Sequence, residues 1–233
     1  MLINPVRSAA GGAALLTLSV CFASPWTPAA AADSVQTLVA QAEHNTNTVK
    51  TLVHHDVTTV TASGGSLKIN AHGAEDEARN REQDFEDVTV TRTSGGKTQK
   101  VHYTVDIIFM NGSTYYRTSA APSQWQTHKG MSFPDPYTGG WKRGRTTVTY
   151  PTSWKYTLVG TSGGTRHVRA PFSTKTTAGT VDLWISAGTK PYVIRSEEKY
   201  HSTTKQKGSA DSLITFGPFD GPVTIQPPAQ GST

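Results

Sequence analysis

The chain of 233 residues contains one cysteine, Cys21, so no intramolecular disulfide can staple it. No apolar run reaches the about 20 residues that a helix needs to cross a bilayer. Gly160-Thr161-Ser162-Gly163-Gly164 spells G-x-S-x-G, but "TSGGT" reads as a turn between two strands and not as a strand-to-helix elbow. No thiol follows Cys21, so neither a hydrolase serine nor a cysteine nucleophile has its setting. Hydrophobic residues make up 35% and charged residues only 17%, a globular composition poor in large aliphatics. Formal net charge is +5, and the basic residues are scattered along the sequence. That mild excess permits weak attraction to an anionic membrane surface and argues against nucleic acid. His72, His102, His128, His167 and His201 show no metal-ligand spacing, and no motif asks for a cofactor.

What is present begins with a leader. One early Arg precedes an apolar core around Ala13 to Ala23, and small residues follow at Ala29 to Ala32. That order defines a secretory signal peptide over 1–32, with Ala30-Ala31-Ala32 as the cleavage site. The "LSVC" ending at Cys21 also resembles a lipoprotein signal, in which Cys21 would be lipidated and 22–34 would become a tether. Either way the expected location is extracytoplasmic: secreted, or held in the cell envelope.

Residues 34–46 carry Val35, Leu38, Val39 and Ala42 on one stripe, which predicts a helix. Beyond it the period becomes two. In "KVHYTVDIIFMNG", Val101, Tyr103, Val105, Ile107 and Phe109 share a face. Leu67, Ile69 and Ala71 align in "SLKINAHG", Trp154, Tyr156 and Leu158 in "WKYTLVG", and Val181, Leu183 and Ile185 in "VDLWIS". Tyr192 and Ile194 align in the strand that follows. Gly- and Asn-containing turns separate these runs, giving nine to eleven strands in an antiparallel meander over 33–228, with 229–233 as a disordered tail. Residues 122–151 interrupt the pattern with four Pro and four Gly, and read as a loop lid carrying Trp125, Met131 and Trp141.

One small helix cannot cover so many one-sided strands. A closed barrel, a sandwich, or a curved sheet with an apolar trough would each resolve the mismatch. The ending "VDLWISAGTKPYVIRSEEKY…SLITFGPFDGPVTIQPP" narrows the choice. With "STYYRTSAAPSQWQ" and the short helix after the leader, it resembles the LolA-like and LppX/LprG-type lipoprotein superfamily. The resemblance rests on Trp184-Ile185, Gly188, Tyr192 to Tyr200, Phe216, Phe219 and Pro222 to Pro227. It implies a mainly β fold: a strongly curved antiparallel half-barrel, with one N-terminal helix and a loop lid over its concave face. Where that superfamily has a second helix before the Trp154 strand, this chain has Pro- and Gly-rich sequence.

The resemblance implies a non-enzymatic carrier of lipid or lipoprotein acyl chains, working as a monomer at the membrane surface. The candidate cavity residues are Leu67, Ile69, Val105, Ile107, Phe109, Trp154, Tyr156, Leu183, Ile185 and Ile194, with Trp125, Met131 and Trp141 as lid. For any one of them the alternative is ordinary core packing. His54 and Asp56 could meet on one strand face, but read as exposed polar residues. The acidic run Glu75 to Asp87 lacks the glycine-anchored calcium-loop spacing and reads as a solvated strand face. Lys142, Arg143 and Arg145 form a small basic surface cluster. Two other functions fit the composition: a secreted β-sandwich adhesion or carbohydrate-binding module stacking sugars on Trp125, Trp141 and Trp184, and an envelope-stress sensor domain of the half-barrel fold.

Overall fold

The computed structural model describes residues 34–130, 133–134, 141–142, 148–151, 153–205 and 207–228. The leader 1–32 with Cys21, lid residue Met131, Arg143 and Arg145, the tail 229–233 and the side chain of Trp141 lie outside what is described.

Among the described residues, helix α1 (Ser34–Asn47) precedes thirteen strands. They are β1 (Thr51–Ala62), β2 (Gly65–Asp76), β3 (Arg81–Ser94), β4 (Lys97–Met110), β5 (Ser113–Thr118), β6 (Gln126–Lys129), β7 (Phe133–Pro134) and β8 (Trp141–Lys142). Then come β9 (Thr157–Ser162), β10 (Thr165–Ser173), β11 (Thr177–Ser186), β12 (Val193–Ser202) and β13 (Gly208–Phe219). Eleven form one antiparallel sheet in the order β6-β5-β4-β3-β2-β1-β13-β12-β11-β10-β9, and β7 pairs with β8 separately. The end strands do not pair, so the sheet is an open, curved half-barrel, the architecture the sequence resemblance implied.

Local chemistry fixes the register. Asn111-Gly112 and Gly95-Gly96 both adopt positive φ, the two-residue turn whose twist matches antiparallel strands. They lock Met110 opposite Ser113 and Ser94 opposite Lys97. The first and last strands, β1 and β13, pair at the centre of the sheet, with a bulge between Leu52 and His54.

The apolar stripe of α1 goes inward as expected: Leu38, Val39 and Ala42 are buried, and Val35 packs beside them. They join Leu52, Val168, Ala170, Val181, Leu183, Ile185, Val193 and Phe216 in the main core. Side chains on the helix's polar positions also bind the chain. Asn47 exchanges two hydrogen bonds with the backbone of Val148, and the Tyr150 amide donates to Glu43. Gln36 donates to the Trp154 carbonyl, and the Thr46 hydroxyl accepts from the Val193 amide. The segment around 148–156 is thereby strapped to α1, placing Val148, Tyr150 and Tyr156 in the same core.

One sequence expectation shifts here. Trp154 and Tyr156 precede β9 and lie on this strap, while Leu158 within β9 is 52% exposed. The final "PVTIQPP" is no strand; its Ile225 packs on Ile108 and Met110, on the face of β4 opposite Ile107 and Phe109.

Candidate functional site: the inner face of the half-barrel

Residues paired across an antiparallel sheet share a face. The register therefore lists what lines the concavity on its β1–β5 half. One row is Val60, Leu67, Val90 and Val101; the next is Thr58, Ile69, Val88 and Tyr103. Deeper rows are Asp56, Ala71, Glu86 and Val105, then His54, Gly73, Asp84 and Ile107, then Leu52, Glu75, Glu82 and Phe109.

This half divides chemically. Leu67, Ile69, Ala71 and Val88 form an apolar cluster of their own, flanked by Val60, Val90 and Tyr103. The main core under α1 takes none of its residues from β2 to β5. Of the predicted cavity residues, Leu67 and Ile69 belong to this separate cluster. Val105, Ile107 and Phe109 are buried on the same inner face. Tyr156, Leu183 and Ile185 sit in the main core, with Trp154 packed against it and stacked on Phe172 at 4.9 Å. These four complete the protein's own interior beneath α1.

Two predicted residues fall elsewhere. Ile194 occupies a bulge: Trp184 pairs with Arg195 but Ile185 pairs with Val193. The extra residue shifts the phase, and Val193, not Ile194, enters the core. Trp125 packs with Ile108, Met110 and Ile225 on the opposite face of the sheet, its ring 4.7 Å from the Arg117 guanidinium. It therefore closes an outer seam and is no lid over the concavity. Beside it an open groove of about 460 Å³ runs between Gln83, Ile108 and Arg117 and the 224–228 segment.

The acidic run also departs from its expected place. Glu75 and Glu82 are buried, 2% and 3% exposed, and point inward with Asp84 and Glu86. His54 is buried as well, and its Nε2 stands 3.1 Å from Asp84 Oδ1. That contact becomes an ion pair when His54 carries its second ring proton. Gly73 lies between the two strands that carry the pair and leaves the room they fill. Burial acts most strongly on His54 and opposes its charge, but Asp84, with Glu75 and Asp56 behind it, outweighs this and raises its pKa.

Across the sheet, Glu198 of β12 shares its row with Ser212 of β13 and Thr58. Desolvation first, and Asp56 second, hold its carboxyl above the usual range. Thr58 donates to Asp56 at 2.9 Å and lies 3.0 Å from the Ser212 hydroxyl. Tyr156 is buried and its hydroxyl makes no hydrogen bond among the described residues. Its acidity is suppressed by burial first, then by Glu43 and Glu198. The inner face is thus two apolar surfaces separated by a polar stripe. Sequence reading missed the stripe, because alternating acids look the same on a solvated face. Among the described residues no group of three or more His, Cys, Asp or Glu is arranged to hold a metal.

No family model matches the chain, and no curated protein matches it. Among solved structures it is similar to the Mycobacterium tuberculosis lipoprotein LppX, at 10% identity and TM-score 0.42, over 82% of this chain and 97% of that one. LprF from Mycobacterium bovis matches at 15% identity and TM-score 0.41, over 83% and 96%. A LolA superfamily protein from Nitrosomonas europaea matches at 8% identity and TM-score 0.32, over 85% and 97%.

Proposed function

We propose that the protein is a non-enzymatic carrier that holds lipid or lipoprotein acyl chains against the inner face of β2, β3 and β4. One observation carries this reading. Helix α1 and its strap complete the interior over β10 to β13 and β1, while the apolar cluster of Leu67, Ile69, Ala71 and Val88 stays separate from that core. Leu67, Ile69 and Val105 are 8%, 7% and 3% exposed in the guest-free chain, so an acyl chain held among them displaces what covers them. It gains about 0.8 kcal/mol for each of its methylenes withdrawn from water. A chain of about sixteen carbons offers on the order of 10 kcal/mol before the entropy of immobilisation is subtracted. The reading needs no nucleophile, cofactor or metal, and places the protein outside the cytoplasm, where the leader would send it.

The expected result is that native mass spectrometry after detergent-free purification finds lipid bound to the protein. Delipidated protein should then take up a labelled fatty acyl chain with saturable, near-stoichiometric binding. A protein that is lipid-free as purified and takes up no acyl chain refutes the reading.

A further inference from the structure

Basic residues that look scattered in sequence are gathered by the fold. The meander places four turns along one edge of the sheet: 63–64, 95–96, 174–176 and the β12–β13 turn that carries Lys205 and Lys207. Backbone bonds tie neighbouring turns together, from Thr93 to Gly64 and from Thr203 to Thr176. On this edge lie Arg92, Lys97 and Lys100 of the β3–β4 hairpin, Lys175 of the β10–β11 turn, and Lys205 and Lys207 between β12 and β13; all six are exposed. The segments 60–67, 91–101, 172–178 and 201–209 contain no Asp or Glu. The whole chain has 22 basic and 17 acidic residues, a net +5; these six alone contribute +6, so all the rest sums to −1. Asp87 and Asp211 lie further along β3 and β13.

We propose that this edge is a docking surface for an anionic lipid bilayer. From β4 to β10 it crosses eight adjacent strands, an arc of about 34 Å at the usual spacing. That is several times the screening length of about 8 Å at physiological salt, so a small anion meets only one or two of the six charges. A bilayer meets all of them. Five of the six are lysines, compact charges suited to a diffuse anionic surface rather than to bidentate recognition of single groups. The apolar surface lies in the right place too. Val101 beside Lys100 is 56% exposed, and the row of Val60, Leu67 and Val90 is the part of the inner face nearest this edge. Docked here, the protein sets that apolar cluster beside the membrane, with the buried acids of β2 and β3 towards the other end of the strands. Docking stands independently of the carrier reading; its use in loading an acyl chain rests on that reading.

The test is co-sedimentation of the full chain carrying Cys21→Ser, so that no lipid anchor contributes. Phosphatidylcholine vesicles are compared with vesicles that also contain phosphatidylglycerol. Binding should require phosphatidylglycerol and fall steeply with added salt. Combining Arg92→Gln, Lys97→Gln and Lys100→Gln should weaken it about 100-fold, as should Lys175→Gln with Lys205→Gln and Lys207→Gln. Lys50→Gln, Lys129→Gln and Lys190→Gln together, away from this edge, should leave it unchanged. The proposal is overturned if either edge variant binds like the parent, if the control variant loses as much, or if duplex DNA or heparin is bound more tightly than the vesicles. Acyl uptake from vesicle-free solution should survive in both edge variants. A parent that docks yet takes up no acyl chain overturns the carrier reading and leaves the docking surface standing.

Discussion

Gly73→Ala is expected to destabilise the protein by about 3 to 5 kcal/mol in chemical denaturation at about pH 6, where His54 carries its proton, the usual range for breaking a buried ion pair. A Cβ at this position would stand 1.7 Å from Asp84 Oδ1, 2.6 Å from His54 Nε2 and 2.8 Å from the Gln83 carbonyl. The two side chains have little solvent to swing into, being 7% and 13% exposed, and the carbonyl belongs to the neighbouring strand. The methyl group therefore separates the pair and strands both partners. A loss of less than about 1 kcal/mol would contradict this account.

The same pair gives the protein a pH dependence. His54 has its folded pKa raised above 6.5, so the native state binds the proton more tightly than the unfolded chain. Its stabilisation is fully present below pH 6.5 and is lost as pH rises through the folded value. Glu43 and Glu198, both raised above 4.5, act with the same sign at lower pH. The denaturation midpoint should fall as pH rises above about 6.5, and Gly73→Ala should flatten that fall.

The second large effect is an asymmetry between the two apolar surfaces. Leu183 is fully buried beneath α1, and Leu183→Ala should cost about 3 kcal/mol, within the usual range of 2–5 for such truncations. Ile69 is 7% exposed in the guest-free chain, so Ile69→Ala should also destabilise it, by about 2 kcal/mol at the low end of that range. It should weaken acyl binding about 15-fold, by the loss of roughly two methylenes of contact. Equal losses of stability at the two positions, with acyl affinity unchanged by Ile69→Ala, would make both surfaces ordinary core.

Much of the fold was legible because its signals are local. The α1 stripe, the shared face of Val105, Ile107 and Phe109, and the Asn111-Gly112 turn depend on neighbours in sequence. What failed to show depends on partners. Glu82, Asp84 and Glu86 alternate as a solvated face would; only the register with Phe109, Ile107 and Val105 turns them inward. Ile194 alternates correctly with Tyr192, but one extra residue opposite Ile185 reverses the phase. Trp125 looks like a lid residue on a Pro-rich loop, and its packing on Ile108 depends on where the 221–228 segment returns. The basic edge is invisible in sequence for the same reason, since its six charges come from three separate turns.

Photolabelling with a fatty acid that carries a diazirine along its chain tests the central claim most directly. The predicted adducts fall on the inner face of β2 to β4, at Leu67, Ile69, Val88, Val105 and Ile107, and are absent from Val168 and Leu183 beneath α1. Adducts confined to the outer face, or none at all under saturating ligand, would contradict a half-barrel completed by a guest hydrocarbon.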